Sequence, residues 1–239
     1  MQRRDAPFAA GVAAVLAAYN NVVSRYPWHE RRYVLVNLGA SGILISAAKA
    51  AGLSDADLGL GRGWWRPGRL AAGLAAGICA GWILIAATPA TRPVLADRRN
   101  TSFEPRAVAY QAAVRIPLGT VLWEEIAFRG VLQAALRRVL PHRTAMLVNA
   151  GVFGAWHLYP THAALRANGL VAGRPQEVTR AVAGSAAMAV PGVLLSWLRD
   201  RSGRLAAPAL VHLAANSGAM IAAALTARHR ATGRAPGRS

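Results

Sequence analysis

Residues 70–89 read LAAGLAAGICAGWILIAATP, twenty positions without a single charge. At about 1.5 Å per helical residue such a run spans the roughly 30 Å hydrocarbon core of a bilayer. In lipid the backbone finds no water to bond, so every N–H and C=O must be satisfied within the protein, as a helix does. A run of this kind therefore dictates a membrane helix before any other feature is considered.

The pattern recurs along the chain. Windows of about 19 residues mark seven apolar segments, at 6–24, 33–53, 70–89, 107–136, 144–160, 181–198 and 205–227. The fold expected is all-α, a polytopic transmembrane bundle of about seven helices, within a range of six to eight. Residues 1–30 form an N-terminal segment with the first membrane helix, 31–227 the bundle, and 228–239 a basic disordered tail. Composition agrees: 54% of residues are hydrophobic and 16% charged, against about a quarter charged in soluble domains.

The net charge of +18 would suggest nucleic acid if the cations shared one soluble face. Instead they fall in short loops such as RYPWHERRY, GRGWWRPGR, RRVLPHR and RDRSGR, between the apolar blocks. Arginine beside tryptophan at helix ends suits anionic headgroups, so the partners expected are the lipid bilayer and no nucleic acid. Arginines divide almost evenly between the two sides of a seven-span topology, which leaves orientation open. Cys79 is the single cysteine, so neither an intramolecular disulfide nor a cysteine metal cluster can form. Lys49 is the single lysine. With the Ala and Gly excess, this matches a GC-rich bacterial genome and the bacterial cytoplasmic membrane.

Arg3 and Arg4 before the first segment could open a signal peptide, but Tyr19-Asn20-Asn21 makes a poor cleavage site, and a retained helix is expected. The fourth segment, at about 30 residues or roughly 45 Å, is too long for the bilayer unless it tilts, kinks or protrudes. Pro117 within it and Pro191 in the sixth segment are the expected kink sites.

Polar residues at helical spacing sit where a bilayer cannot explain them. TVLWEEIAFRG carries Glu124, Glu125 and Arg129; VFGAWHLYP carries Phe153 and His157; LVHLAANSG carries His212 and Asn216. Glu125 and Arg129 are four apart and share a face, with Glu124 about 100° around from it. A charge at the centre of a membrane helix costs about 2.5–3.5 kcal/mol on insertion scales, so these groups need partners or water. Helix glue through polar pairs is one account. A site converging from three helices on a hydrated cavity explains more of them.

The residue types define the chemistry such a site can do. A glutamate beside a second carboxylate in a low dielectric has its pKa pushed upward and can act as a general base toward water. A histidine nearby can hold that water or share its proton. His212 and Asn216 are neutral donors suited to an oxyanion, and the Glu125–Arg129 pair would fix the helix. These parts fit water-mediated amide hydrolysis. Zinc is the competing chemistry, with Glu124, His157 and His212 as ligands, although no HExxH occurs. His162 is read as a loop residue; His29, His142 and His229, among arginines at segment ends, as interfacial.

EEIAFR fits an E-E-x-x-x-R motif, FGAWH fits F-x-x-x-H and HLAAN fits H-x-x-x-N, in that order on separate apolar segments. The chain resembles the CAAX-protease and bacteriocin-processing family of intramembrane endopeptidases, over a motif core of about 107–220. GLSDADLGLGRGW also looks like the loop that precedes this core in bacterial members. The resemblance implies that Glu124 with His157 activates water and that His212 with Asn216 stabilises the oxyanion, with Glu125, Arg129 and Phe153 in support. Family members have been described both as metalloproteases and as glutamate-dependent enzymes; the lack of a zinc motif favours the latter and no cofactor. The implied substrate is a membrane-associated protein or peptide, prenylated or not. A non-enzymatic scaffold or immunity protein is the alternative from another class, and a proton-coupled carrier lacks the repeat halves it would need.

Overall fold

The computed structural model describes residues 4–97, 104–171 and 173–232, with side chains through residue 227. Among these, all regular structure is helical. In chain order the helices are α1 (Asp5–Val22), α2 (Pro27–Arg31), α3 (Tyr33–Ala50), α4 (Gly68–Ala87), α5 (residues 105–137), α6 (His142–Trp156), α7 (Leu158–Ala167), α8 (Arg174–Ala187), α9 (Ala189–Ser202) and α10 (Ala206–Thr232). All seven apolar segments are helical. Five stretches are long and apolar enough to cross a membrane: Asp5–Arg25, Tyr33–Ala50, Gly68–Ala87, Arg174–Ser202 and Ala206–Ala227. The protein is an all-α membrane bundle.

The fourth segment, α5, differs from these five because it lies inside the bundle. From Trp123 to Leu136 every residue is buried. Ala9, Val12 and Leu16 of α1, Ala48 of α3, and Ala145, Phe153 and Trp156 of α6 join it in one core cluster. Large apolar side chains point outward instead: Leu35, Ile43, Ile83 and Val190 are each at least 70% exposed. A bundle in lipid gains little from hiding leucine, so helices approach through small residues. A Cβ on Gly154 would sit 3.0 Å from the Ser185 carbonyl, and one on Gly192 3.3 Å from Ala150.

Both prolines leave their mark without a simple kink. Pro117 lies in Gln111–Val121, which is wound as a π helix, and the Leu122 N–H reaches back five residues to the Pro117 carbonyl. The wider turn relieves the clash between a proline ring and the carbonyl four residues before it. A second π stretch, Glu125–Leu132, carries the EE–R motif. The sixth segment breaks at Met188, so that Pro191 falls in the first turn of α9, where a missing N–H does no harm.

Three expectations shift. His162 lies within α7 rather than in a loop, because Leu158–Ala167 resumes a helix after the break at His157. His29 is buried rather than interfacial, packed beside Tyr19 and Asn37, since α2 folds back over the end of α1. Helix α10 continues into the region expected as a tail, to Thr232; residues 233–239 lie outside the described residues. His142 stays exposed and contacts Asp200; the His229 side chain is also outside the described set.

Candidate active site

Glu124 and Glu125 sit at the junction between a short α-helical turn, Leu122–Glu124, and the π stretch that follows. The wide winding leaves Glu125 and Arg129 on one side, four residues apart, and the Arg129 Nη1 lies 3.4 Å from Glu125 Oε1. Both side chains are essentially inaccessible. Arg129 also stacks on the Phe153 ring at 4.2 Å and reaches the Gly192 carbonyl at 3.5 Å. One cation thus ties α5 to α6 and α9. A carboxylate, a ring and a carbonyl thus surround the buried charge, while its Nε has no hydrogen-bond partner among the described residues.

Helix α10 brings His212 to the same carboxylate. Its Nδ1 lies 2.8 Å from Glu125 Oε1, and its Nε2 lies 3.1 Å from Asn216 Nδ2 one turn along. Against the carboxyl oxygen, Nδ1 carries the proton and donates, leaving Nε2 as acceptor for the Asn216 amide. That tautomer follows from the contacts. The Glu125–His212 bond therefore does for the histidine what an orienting carboxylate does in any acid–base dyad: it fixes ring and proton together.

Glu124 faces the other way around the helix yet returns to the same space. Its Oε1 accepts from Trp156 Nε1 at 3.3 Å. Its Oε2 is buried, has no hydrogen-bond partner, and lies 3.9 Å from His212 Nε2. Glu125 Oε2 is likewise buried and unpartnered. Buried polar atoms are otherwise paired, so each of these oxygens is a place where water can bond. A separation of 3.9 Å is too long for a direct hydrogen bond, so His212 leaves that oxygen open.

His157 arrives by a different route. The helix breaks there, with φ −90° and ψ 4° between α6 and α7. Its Nδ1 lies 2.8 Å from the Phe153 carbonyl, so Nδ1 carries the proton and Nε2 is left free. Phe153 packs on the imidazole at 4.6 Å and on Arg129 from its other neighbours, linking His157 to the glutamate pair through a ring rather than a polar bond. Carbonyls freed at the break are met by α1: Asn20 Nδ2 donates to Trp156 O at 3.1 Å and Asn21 Nδ2 to Ala155 O at 2.8 Å. The Asn21 Oδ1 accepts from Tyr159 N at 2.8 Å.

Glu124, Glu125, Arg129, Phe153, His212 and Asn216 thus converge, with His157 attached through Phe153. Sequence reasoning missed Trp156, Asn20 and Asn21. The signal for Trp156 was its place beside His157, because a buried indole N–H needs a partner. Two consecutive asparagines closing an apolar helix were the signal for the others.

Among the described residues no three His, Cys, Asp or Glu side chains gather closely enough to hold a metal ion. Glu124, His157 and His212 form no such group, and both His212 nitrogens already have partners. Asn216 also lines a cavity of about 350 Å³, with Trp82, Leu95, Asp97, Ile116, Met220 and Ala223 around it, so that apolar side chains and one carboxylate share the wall.

A family model described as type II CAAX prenyl endopeptidase Rce1-like matches residues 107–218. That stretch begins in α5, takes in all three motifs and stops two residues past Asn216. No curated protein and no solved structure matches the chain. Helical bundle, membrane-crossing segments and matched core agree, and residues 107–218, just under half of the chain, are similar to the CAAX-protease family of membrane endopeptidases.

Proposed function

We propose that this protein is a glutamate-dependent endopeptidase of a bacterial cytoplasmic membrane, hydrolysing a peptide bond in a membrane-associated protein or peptide. One observation carries the reading: Glu124 Oε2 is buried, unpartnered, and 3.9 Å from His212 Nε2. A carboxylate oxygen without a partner in an apolar bundle serves no structural purpose, whereas a water held there sits beside a base.

In this mechanism Glu124 removes a proton from the water as its oxygen attacks the scissile carbonyl carbon. Charge develops on the carbonyl oxygen, to which the second Asn216 amide hydrogen donates, while His212 holds that amide in place through Nε2. Glu125 holds His212 with its proton on Nδ1, and Arg129 holds Glu125. The free Nε2 of His157 accepts the water's remaining hydrogen bond. The proton taken by Glu124 passes to the amide nitrogen, the C–N bond breaks, and a carboxylate and an amine leave. The cavity beside Asn216 accepts the apolar part of the substrate.

The test is a cleavage assay on a panel of lipidated, unlipidated and leader peptides, with the purified protein in detergent, with and without a strong chelator. Cleavage that survives the chelator supports the proposal. Cleavage lost to the chelator and restored by zinc would replace the glutamate mechanism by a metal one.

A further inference from the structure

A second concave site lies at the other end of α4 from the cavity described above. Pro67, Arg69, Leu198, Arg201, Arg204 and Ala207 border a cavity of about 300 Å³ between the start of α4 and the junction of α9 with α10. Three arginines therefore border one hollow. Arg204 reaches the Arg66 carbonyl at 3.5 Å, so a fourth arginine stands beside it. No carboxylate lines the hollow. The nearest acid in sequence, Asp200, faces away and is engaged by Arg137 at 3.0 Å and His142 at 3.0 Å. Asp57 is held by Ser54. Among the described residues no carboxylate pairs with Arg69, Arg201 or Arg204.

The setting identifies what neutralises them. Helix α4 is the most apolar of the membrane-crossing helices, with a mean hydropathy of 2.1, and the hollow lies at its first turn. Trp64 and Trp65, 39% and 60% exposed, stand just before it. Exposed indoles beside arginines at the end of an apolar helix mark the headgroup layer, where anionic phosphates are concentrated. Leu70 at the rim is 49% exposed and continues the apolar face of α4, giving acyl chains a surface directly below the charges. Guanidinium groups bind phosphate through paired N–H donors.

We propose that this hollow binds the phosphate of an anionic group, and that its occupant is a phospholipid headgroup seated between α4 and the α9–α10 turn. The inference does not depend on the proteolytic reading, since none of these residues belongs to the candidate active site.

The experiment measures lipid binding to the full-length protein in nanodiscs and by native mass spectrometry, comparing phosphatidylglycerol with phosphatidylcholine. The variant is Arg69→Ala/Arg201→Ala, two exposed arginines without a protein partner among the described residues. The control is Arg31→Ala/Arg32→Ala, which removes the same charge at the opposite end of α3. Thermal unfolding in phosphatidylcholine checks that both variants fold. The wild type should retain phosphatidylglycerol preferentially, and the Arg69/Arg201 variant should lose roughly tenfold or more in affinity, with the control within about threefold of wild type. Inorganic phosphate is added as competitor. Binding of free phosphate by the wild type but not the variant, without preference for the lipid, would support the phosphate site and assign it to a soluble source. Equal lipid retention by the Arg69/Arg201 variant and the wild type would overturn the proposal, as would equal losses in variant and control.

Discussion

Trp156 Nε1 donates to Glu124 Oε1 across 3.3 Å, joining α6 to the central helix one residue before the break at His157. The indole is fully buried, stacked on Tyr19 and set edge-on to Phe128. One carboxylate oxygen is thereby fixed and the other left open. Substituting Trp156→Phe keeps most of the ring and removes the donor. A hydrogen bond to a charged group contributes about 1.5–3 kcal/mol, so kcat should fall roughly ten- to hundredfold while the protein still folds. Steady-state cleavage kinetics beside a detergent melting curve separate the two effects.

Asn21 holds both sides of the same break, donating to Ala155 O and accepting from Tyr159 N. Asn21→Ala frees two backbone groups near the membrane surface, which should cost about 1 kcal/mol and loosen His157. Activity should drop more steeply than stability. An Asn21→Ala protein as active as wild type would show that α1 does not help to position the histidine.

Arg129 is the single cation facing Glu125, and neither side chain reaches solvent. Arg129→Met should destabilise the protein by about 3–5 kcal/mol, because the buried carboxylate keeps the His212 N–H but loses its counter-charge. Adding Glu125→Gln to the same chain should recover part of the loss. Melting temperatures of the single and double variants in one detergent decide this; equal losses would mean that charge is not the cause.

The loop between α3 and α4 is clamped at Asp57. Its carboxyl accepts from the Ser54 N–H at 2.8 Å and the Ser54 hydroxyl at 2.7 Å, which hold it below the usual carboxylate range, aided by Arg138 and Arg199. A pKa lowered on folding gives stability that is complete above the ordinary value near 4 and fades as pH falls through the lower one. Melting temperature should therefore drop below about pH 4 in the wild type and drop less in Asp57→Asn. Identical pH dependence in both proteins would contradict this role.

Much of this organisation could be read from sequence. Apolar windows located the long helices because lipid imposes length and composition directly, and missed short α2 and most of α7; the three motifs named the side chains that converge. The windows could not distinguish α5, which is buried by other helices, from α4, which faces outward; both are apolar. The i to i+4 spacing gave the Glu125–Arg129 pair because it acts within one helix. The Glu125–His212 bond spans 87 residues, and the π winding that aims both glutamates inward leaves no period that a helical wheel detects. Asn20 and Asn21 looked like the ragged end of a marginal helix, since their partners lie on α6 and α7.

The central claim is that Glu124 activates water, and Glu124→Gln tests it most directly. The amide keeps the shape of the side chain and an acceptor for Trp156, but it cannot take a proton at neutral pH. Single-turnover cleavage of a substrate found in the peptide panel should fall by at least about 10³-fold, with the melting temperature near that of the wild type. A folded Glu124→Gln protein that cleaves at the wild-type rate would contradict the account.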